Sequence, residues 1–200
     1  MKQVLMIHWG SVYRTKKDFY EELKKRTCNP FKKDKKRKHR IAEELKDTHE
    51  TILLDMPNKL NADYICWKIR FEKHFPFLSK EDTVLIGHSL GGAFLVKWLS
   101  ENSFPKRIKQ LHLVSTVIEH KKEDTRTLGN FKLNFNKIKN ILPQVENIFI
   151  YHSKDDPVVP FSHSERYKKY LPIAKLFAFE NRGHIRQEEF PELFENIRNN

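Results

Sequence analysis

Residues 83–92 read Thr-Val-Leu-Ile-Gly-His-Ser-Leu-Gly-Gly, and this stretch decides the fold of the chain. Thr83 to Ile86 is a short apolar run with β-branched residues, typical of a strand buried on both faces. Ala93 to Leu99 has apolar residues at helical spacing and no breaker, which predicts a helix. Between them, Gly87 to Gly91 matches G-x-S-x-G. This motif places its serine, here Ser89, on a sharp turn between a strand and a helix.

The turn at Ser89 has two interpretations. As a nucleophile, Ser89 would attack a carbonyl carbon, and the backbone N–H of Leu90 at the helix N-terminus would stabilise the resulting oxyanion. As an ordinary strand-to-helix turn, Ser89 would only cap the helix. The flanking glycines and the extra Gly92 favour the nucleophile, because the sharp turn requires backbone angles that glycine adopts at little cost.

Strands and helices alternate on both sides of this stretch. Further apolar runs predict strands at 4–7, 51–54, 108–115, 147–152 and 174–179. Helical spacing predicts helices at 18–26, 41–46, 62–75, 162–170 and 185–200, the third with Ile65, Ile69 and Phe75 near one face. This alternation predicts a three-layer α/β fold with a mainly parallel sheet of about six strands and helices on both faces. We expect one domain over residues 1–200.

Composition limits the possible functions. The net charge of +12 is concentrated at Lys32 to Arg40, within a basic helical insertion at about 13–48. Such a run is usually a solvated surface, and it lacks the interleaved aromatic residues that stack on bases, so nucleic-acid binding is disfavoured but left open. The two cysteines, Cys28 and Cys66, form no C-x-x-C pair, which indicates a reducing compartment.

No apolar stretch approaches the roughly 20 residues of a membrane span. The apolar run near Met1 is too short for a signal peptide. We therefore expect a cytoplasmic protein without a membrane contact.

Three residue types of hydrolytic chemistry follow three predicted strands in turn. Ser89, Asp156 and His184 each lie just after a predicted strand, so all three can meet at the carboxyl edge of a parallel sheet. Their order along the chain is the α/β-hydrolase order. His184 would take the proton of Ser89, and Asp156 would orient the imidazole and stabilise its charged form. Taken singly, the aspartate is also a turn residue beside Asp155, and the histidine a loop residue or helix cap.

Other polar residues have less defined roles. A loop after the first strand supplies the second oxyanion donor in such folds, and here the backbone nitrogen of Trp9 or of Gly10 is the candidate. His8 and His88 lack metal-ligand spacing, so we expect no metal site. The long segment 116–142 predicts either a lid or pocket wall, or a partly mobile surface loop.

Taken together, these motifs resemble the small serine-hydrolase family of the α/β-hydrolase superfamily, the group of retinoblastoma-binding protein 9 and the YdeN-like proteins. The resemblance is carried by the runs 55–58, 87–92, 153–160 and 183–184, in family order. It implies a six-stranded α/β-hydrolase fold, a Ser89, Asp156 and His184 triad with an acyl-enzyme mechanism, and no cofactor. The family acid stands four residues before a proline, which selects Asp156 over Asp155.

The expected function is hydrolysis of small carboxylic esters or thioesters. The alternative is a hydrolase-fold interaction module with weak or vestigial activity, which would engage partners through its basic surface. A third hypothesis, nucleic-acid binding through Lys32 to Arg40, predicts binding that weakens steeply with salt.

Overall fold

A parallel sheet of six strands forms the centre of the molecule. The computed structural model describes residues 1–27, 29, 31, 37–79, 81–187 and 189–199. The strands lie in the order β2-β1-β3-β4-β5-β6, and all neighbouring pairs are parallel. Their bounds are β1 (Lys2–Ile7), β2 (His49–Leu54), β3 (Thr83–His88), β4 (Ile108–Val114), β5 (Val145–Ser153) and β6 (Lys175–Phe179). This confirms the predicted α/β fold and the number of strands.

Helices cover both faces of the sheet, as predicted. One apolar core includes Trp67 and Phe94, and the other includes Ile41 and Phe194 on the opposite face. Because the strands are buried on both sides, their sequences are continuous apolar runs rather than alternating patterns. The helices are α1 (Lys16–Lys25), α2 (Arg37–Leu45), α3 (Tyr64–Glu72), α4 (Leu90–Glu101), α5 (Ser162–Tyr170) and α6 (Pro191–Asn199), with a 3-10 helix at Phe135–Gln144.

The strand order changes direction between β1 and β3. The chain passes from β1 outward to β2 and then returns to the other side of β1 as β3. In open parallel sheets, the crevice at such a switch point, outside the carboxyl ends of the strands, is the usual ligand site. The loops that follow β1 and β3 therefore border the place where a substrate is expected.

The predicted apolar face of α3 is wrong. Ile65 and Ile69 are 53% and 52% exposed, whereas Tyr64, Trp67 and Phe71 are buried. Aromatic side chains bury more apolar area than isoleucine does, so their stripe decides which face of the helix packs. The helix also ends earlier than predicted, at Glu72.

The final helix begins at Pro191 rather than Ile185. Proline is favoured at the first helical position because its missing N–H has no helical partner there, and it restricts the residue before it. Ile185 has a φ of 42°, which is incompatible with a right-handed helix at that residue.

The segment predicted as a lid, pocket wall or partly mobile loop contributes to the core. Val117, Ile118, Phe131 and Ile138 are buried, and the 3-10 helix packs against α4.

The basic run falls partly outside the described residues, which omit residues 32–36 and resume at α2. Within the described ranges, no helix combines the length and apolar character needed to cross a bilayer.

Candidate active site

Ser89 lies on a strained turn between β3 and α4. Its φ of 56° and ψ of −117° fall outside the regions that non-glycine residues favour. Such a conformation costs on the order of 1–3 kcal/mol and persists only where the surroundings enforce it. Here the Ser89 N–H donates to Val114 O at 2.9 Å, and its carbonyl accepts from the N–H groups of Gly92 and Ala93. Neighbouring strand and helix therefore hold the turn from both sides.

Two glycines make this turn sterically possible. A Cβ at Gly91 would lie 2.5 Å from Ile7 O, and one at Gly87 would lie 2.5 Å from the Cα of Gly92. Both obstacles are backbone atoms, which cannot move aside as a side chain can. The G-x-S-x-G spacing thus follows from the close approach of α4 to β1 and β3.

His184 and Asp156 meet at the same sheet edge. The Nδ1 of His184 lies 2.8 Å from Asp156 Oδ2, and their side chains are 5% and 0% exposed. Since a carboxylate only accepts, Nδ1 carries the proton, and Nε2 is left as the basic nitrogen. The loop after β5 and the loop after β6 thus bring together two of the three predicted triad residues.

The Asp156 carboxylate is surrounded by hydrogen-bond donors. Burial alone would raise the pKa of Asp156, but hydrogen bonds from His152, His184 and the Val159 N–H outweigh it and hold that pKa well below its usual range. The Val158 N–H also donates to Oδ1, at 2.8 Å. The carboxyl is therefore an anion across the range in which histidine titrates.

Asp155 has a different set of partners from Asp156. Its Oδ1 accepts from the Ser153 hydroxyl and, at 2.9 Å, from the Gly183 N–H. The Ser153 Oγ in turn accepts from the Arg182 N–H at 2.8 Å. Hydrogen bonds, first from Ser153 and then from Gly183, lower the pKa of Asp155. This aspartate ties the loop that carries His184 to the end of β5.

His88 supports His184 from the β3 side. Its Nε2 donates to the carbonyl of His184 at 3.0 Å, and the two rings lie 4.9 Å apart. The histidine of the G-H-S-L-G turn thus fixes the backbone of the histidine that pairs with Asp156.

Sequence reasoning missed His152 as part of this site, and it considered Asp155 only as an alternative acid or as a turn residue. His152 is fully buried on β5, with Nε2 3.2 Å from Asp156 Oδ2. A polar residue within an apolar buried strand is the signal that could have identified it, because such residues require partners.

The loop after β1 faces the Ser89 turn. Gly10, Ser89 and Leu90 all line one cavity, whereas Trp9 is not among its lining residues and its side chain is 38% exposed. His8 fixes this loop, because its Nδ1 lies 2.6 Å from Trp9 O and its Nε2 accepts from the Met56 N–H at 3.0 Å.

Two open cavities adjoin the site. The first, at Ser89, has a volume of about 10 Å³, and its lining also includes His120, Arg126 and Thr127. The second, of about 630 Å³, lies beside Asp156 and shares His120 and Val158 with the first. Segment 116–142 therefore forms the common wall of both cavities.

Metal-ligating side chains do not gather in a site-like group among the described residues.

Comparison with known proteins identifies the family. The serine hydrolase family matches residues 33–198 of the chain. The chain is 29% identical over 147 residues to serine hydrolase RBBP9 of Rattus norvegicus, covering 70% of this chain and 71% of that protein. It is 27% identical over 149 residues to the protein YdeN of Bacillus subtilis, covering 72% of this chain and 75% of that protein.

Solved structures agree on the fold. The crystal structure of the B. subtilis ydeN gene product superposes with a TM-score of 0.68 at 22% identity, covering 99% of this chain and 97% of that one. Est1E of Butyrivibrio proteoclasticus, solved with ferulic acid bound, gives 0.63 at 15% identity over 98% and 86%. The family and the fold expected from the sequence are thereby confirmed: this chain belongs to the serine hydrolase family and has the α/β-hydrolase fold.

Proposed function

We propose that the chain hydrolyses small carboxylic esters or thioesters through an acyl-enzyme intermediate, with Ser89, His184 and Asp156 as its catalytic triad. The observation that carries this proposal is the buried 2.8 Å contact between His184 Nδ1 and Asp156 Oδ2, at the sheet edge where Ser89 stands on its strained turn.

In the acylation step, Ser89 Oγ attacks the carbonyl carbon while His184 Nε2 takes its proton. The carbonyl π electrons move to oxygen, and the N–H groups of Leu90 and Gly10 hold this oxyanion. When the intermediate collapses, the C–O or C–S bond to the leaving group breaks, and His184 gives its proton to that group. Gly10 is preferred to Trp9 as the second donor because Gly10 lines the cavity at Ser89.

In the deacylation step, His184 takes a proton from water, which attacks the acyl carbon. The bond to Ser89 then breaks, the carboxylic acid leaves, and the proton returns to the serine oxygen. Asp156 remains ionised throughout and stabilises the imidazolium that forms twice per turnover.

The unequal cavities predict the substrate shape. The cavity at Ser89, at about 10 Å³, holds little more than one water molecule, whereas the recess beside Asp156, at about 630 Å³, lies within the range of about 300–1,000 Å³ typical of ligand pockets. We assign a small acyl group to the cavity at Ser89 and the leaving group to the recess beside Asp156. Activity should therefore fall as the acyl chain lengthens beyond acetyl, and it should tolerate larger alcohols.

The test is labelling with a fluorophosphonate probe, with the modified residue found by mass spectrometry. We expect stoichiometric labelling at Ser89 that Ser89→Ala abolishes and His184→Ala reduces by about 10³-fold or more in rate. Ser115→Ala is the matched control, because Ser115 directly follows the next strand, β4, with a φ of 44° but is fully buried. Absence of labelling in the folded wild type would contradict the proposal and favour an interaction module.

A further inference from the structure

A second histidine lies behind the proposed triad. We propose that His152 is a positioning residue that donates a hydrogen bond to Asp156 and competes with His184 for the same carboxylate oxygen, and so sets how strongly His184 holds its proton. This inference rests on the proposed function and deepens it.

The geometry fixes which nitrogen of His152 carries a proton. Its Nε2 lies 3.2 Å from Asp156 Oδ2 and 2.9 Å from Val159 O. Both neighbours only accept hydrogen bonds, so Nε2 must be the donor, and its one proton is shared between the nearer Val159 O and the Asp156 carboxylate. The opposite nitrogen, Nδ1, is hydrogen-bonded to the hydroxyl of Ser164, which donates to the ring in its neutral form.

The two oxygens of Asp156 have different partners. Oδ1 accepts from the backbone N–H groups of Val158 and Val159, at 2.8 and 3.0 Å. Oδ2 faces both imidazoles, with His184 at 2.8 Å and His152 at 3.2 Å. A carboxylate oxygen that already accepts one hydrogen bond stabilises a second donor less well. Removing the His152 donor should therefore strengthen the hold of Asp156 on a protonated His184.

The surroundings shield His152 and Asp156 from solvent. His152 and the Asp156 side chain have no exposed area, and the ring of Phe161 packs edge-on to His152 at 5.7 Å. His163, which interacts electrostatically with His152, is itself surrounded by Glu119, His120 and Arg166. On the other side of the carboxylate, His88 faces His184, with the two rings 4.9 Å apart. Among these groups, His152 is the one besides His184 that contacts Asp156 directly, at 3.2 Å.

Two substitutions distinguish the hydrogen-bond donor function of His152 from its contribution to packing. In His152→Gln, an amide N–H can take the place of Nε2–H, whereas His152→Leu fills the space without a donor. His152 lines neither cavity at the site, so KM for p-nitrophenyl acetate should stay the same in both. We expect the acid limb of the kcat/KM profile to move up by about one pH unit in the Leu variant and to stay in place in the Gln variant.

Ser164→Ala provides a second route should the Leu variant fail to fold. Loss of the hydroxyl that donates to Nδ1 makes Nε2–H a weaker donor, so the acid limb should move in the same direction by a smaller amount. If His152 had a purely structural role, these variants would be less stable, and the acid limb of the kcat/KM profile would stay at its wild-type pH.

A readout without turnover completes the test. In protein labelled with ¹⁵N-histidine, the nitrogen shifts of His152 should show a protonated Nε2, and the downfield Nδ1–H proton of His184 should shift in the Leu variant and not in the Gln variant. Failure of the wild type to label or to hydrolyse esters would overturn the proposed function, while this spectrum would still decide the hydrogen bond. An unprotonated Nε2, or identical spectra and pH limbs in all folded variants, would overturn the inference.

Discussion

Two buried histidine groups of the molecule have partners that differ in charge. The edge group, His184 with Asp156 and His152, lies at the carboxyl edge of the sheet beside an open cavity. The sheet group, His112 with Gln110 and Tyr151, lies within the strands on the face covered by α6. Both groups satisfy their ring nitrogens, yet only the edge group includes a carboxylate.

The charge of the partners distinguishes the structural sheet group from the edge group, for which a catalytic role is proposed. His112 contacts the side-chain oxygen of Gln110 at 2.7 Å and the Tyr151 hydroxyl at 3.1 Å, and it stacks on Phe149 at 4.8 Å. Burial without a neighbouring anion lowers the pKa of His112 to about 3, so this ring stays neutral and structural. A buried histidine becomes useful for proton transfer when an anion can stabilise its charged form.

The largest expected effect comes from neutralising the anion of the edge group. Asp156→Asn should lower kcat for p-nitrophenyl acetate by about 10³- to 10⁴-fold, because an amide cannot stabilise the imidazolium and can favour the wrong ring tautomer. Steady-state kinetics on folded protein measure this. A loss of less than tenfold would show that the carboxylate is not what distinguishes the edge group.

The sheet group should instead affect how the free energy of unfolding depends on pH. The unfolded chain protonates His112 below about pH 6.5, whereas the folded chain resists protonation until about pH 3. Stability is therefore fully present above pH 6.5 and is lost as the pH falls, by up to about 1.4 kcal/mol per unit for this one group. His163, whose pKa burial lowers to about 4, adds a change of the same sign.

His112→Gln removes one of the two histidines whose protonation on unfolding lowers the stability at acid pH. Urea denaturation between pH 7 and pH 4 should show a free energy of unfolding that falls less steeply in the variant than in the wild type, by about 2–3 kcal/mol over that range. Equal slopes would mean that His112 is not held neutral by burial.

A smaller change in activity is expected from the loop that carries His184. Asp155→Ala removes the acceptor that holds the Gly183 N–H, so His184 should be less well placed and kcat should fall about tenfold. Glu180→Gln is the matched control. It breaks the exposed Lys154–Glu180 ion pair, which bridges the same two loops at 2.7 Å, and such pairs contribute little. Equal losses in both variants would assign the effect to loop tethering in general.

The sequence predicted the elements whose chemistry is local. The G-x-S-x-G turn, the apolar strands and the order Ser89, Asp156, His184 require only spacing and residue type. It failed where packing between distant segments decides which face of a helix is buried or which groups pair. The face of α3 depends on the aromatic core it meets, and Asp155 accepts from the Gly183 N–H of a loop that only the folded sheet brings near it.

The smallest effect tests whether the two groups are independent. Tyr151 and His152 are neighbours on β5, and successive strand residues point to opposite faces. Tyr151→Phe removes the hydroxyl that contacts His112 Nδ1 and Asn196 Nδ2, each at 3.1 Å, and should cost about 1–2 kcal/mol of stability. Ester hydrolysis by the folded variant should not change. A fall in kcat would show that β5 transmits changes from one face of the sheet to the other, because a shift of the backbone at residue 151 is the direct route to His152 and through it to Asp156.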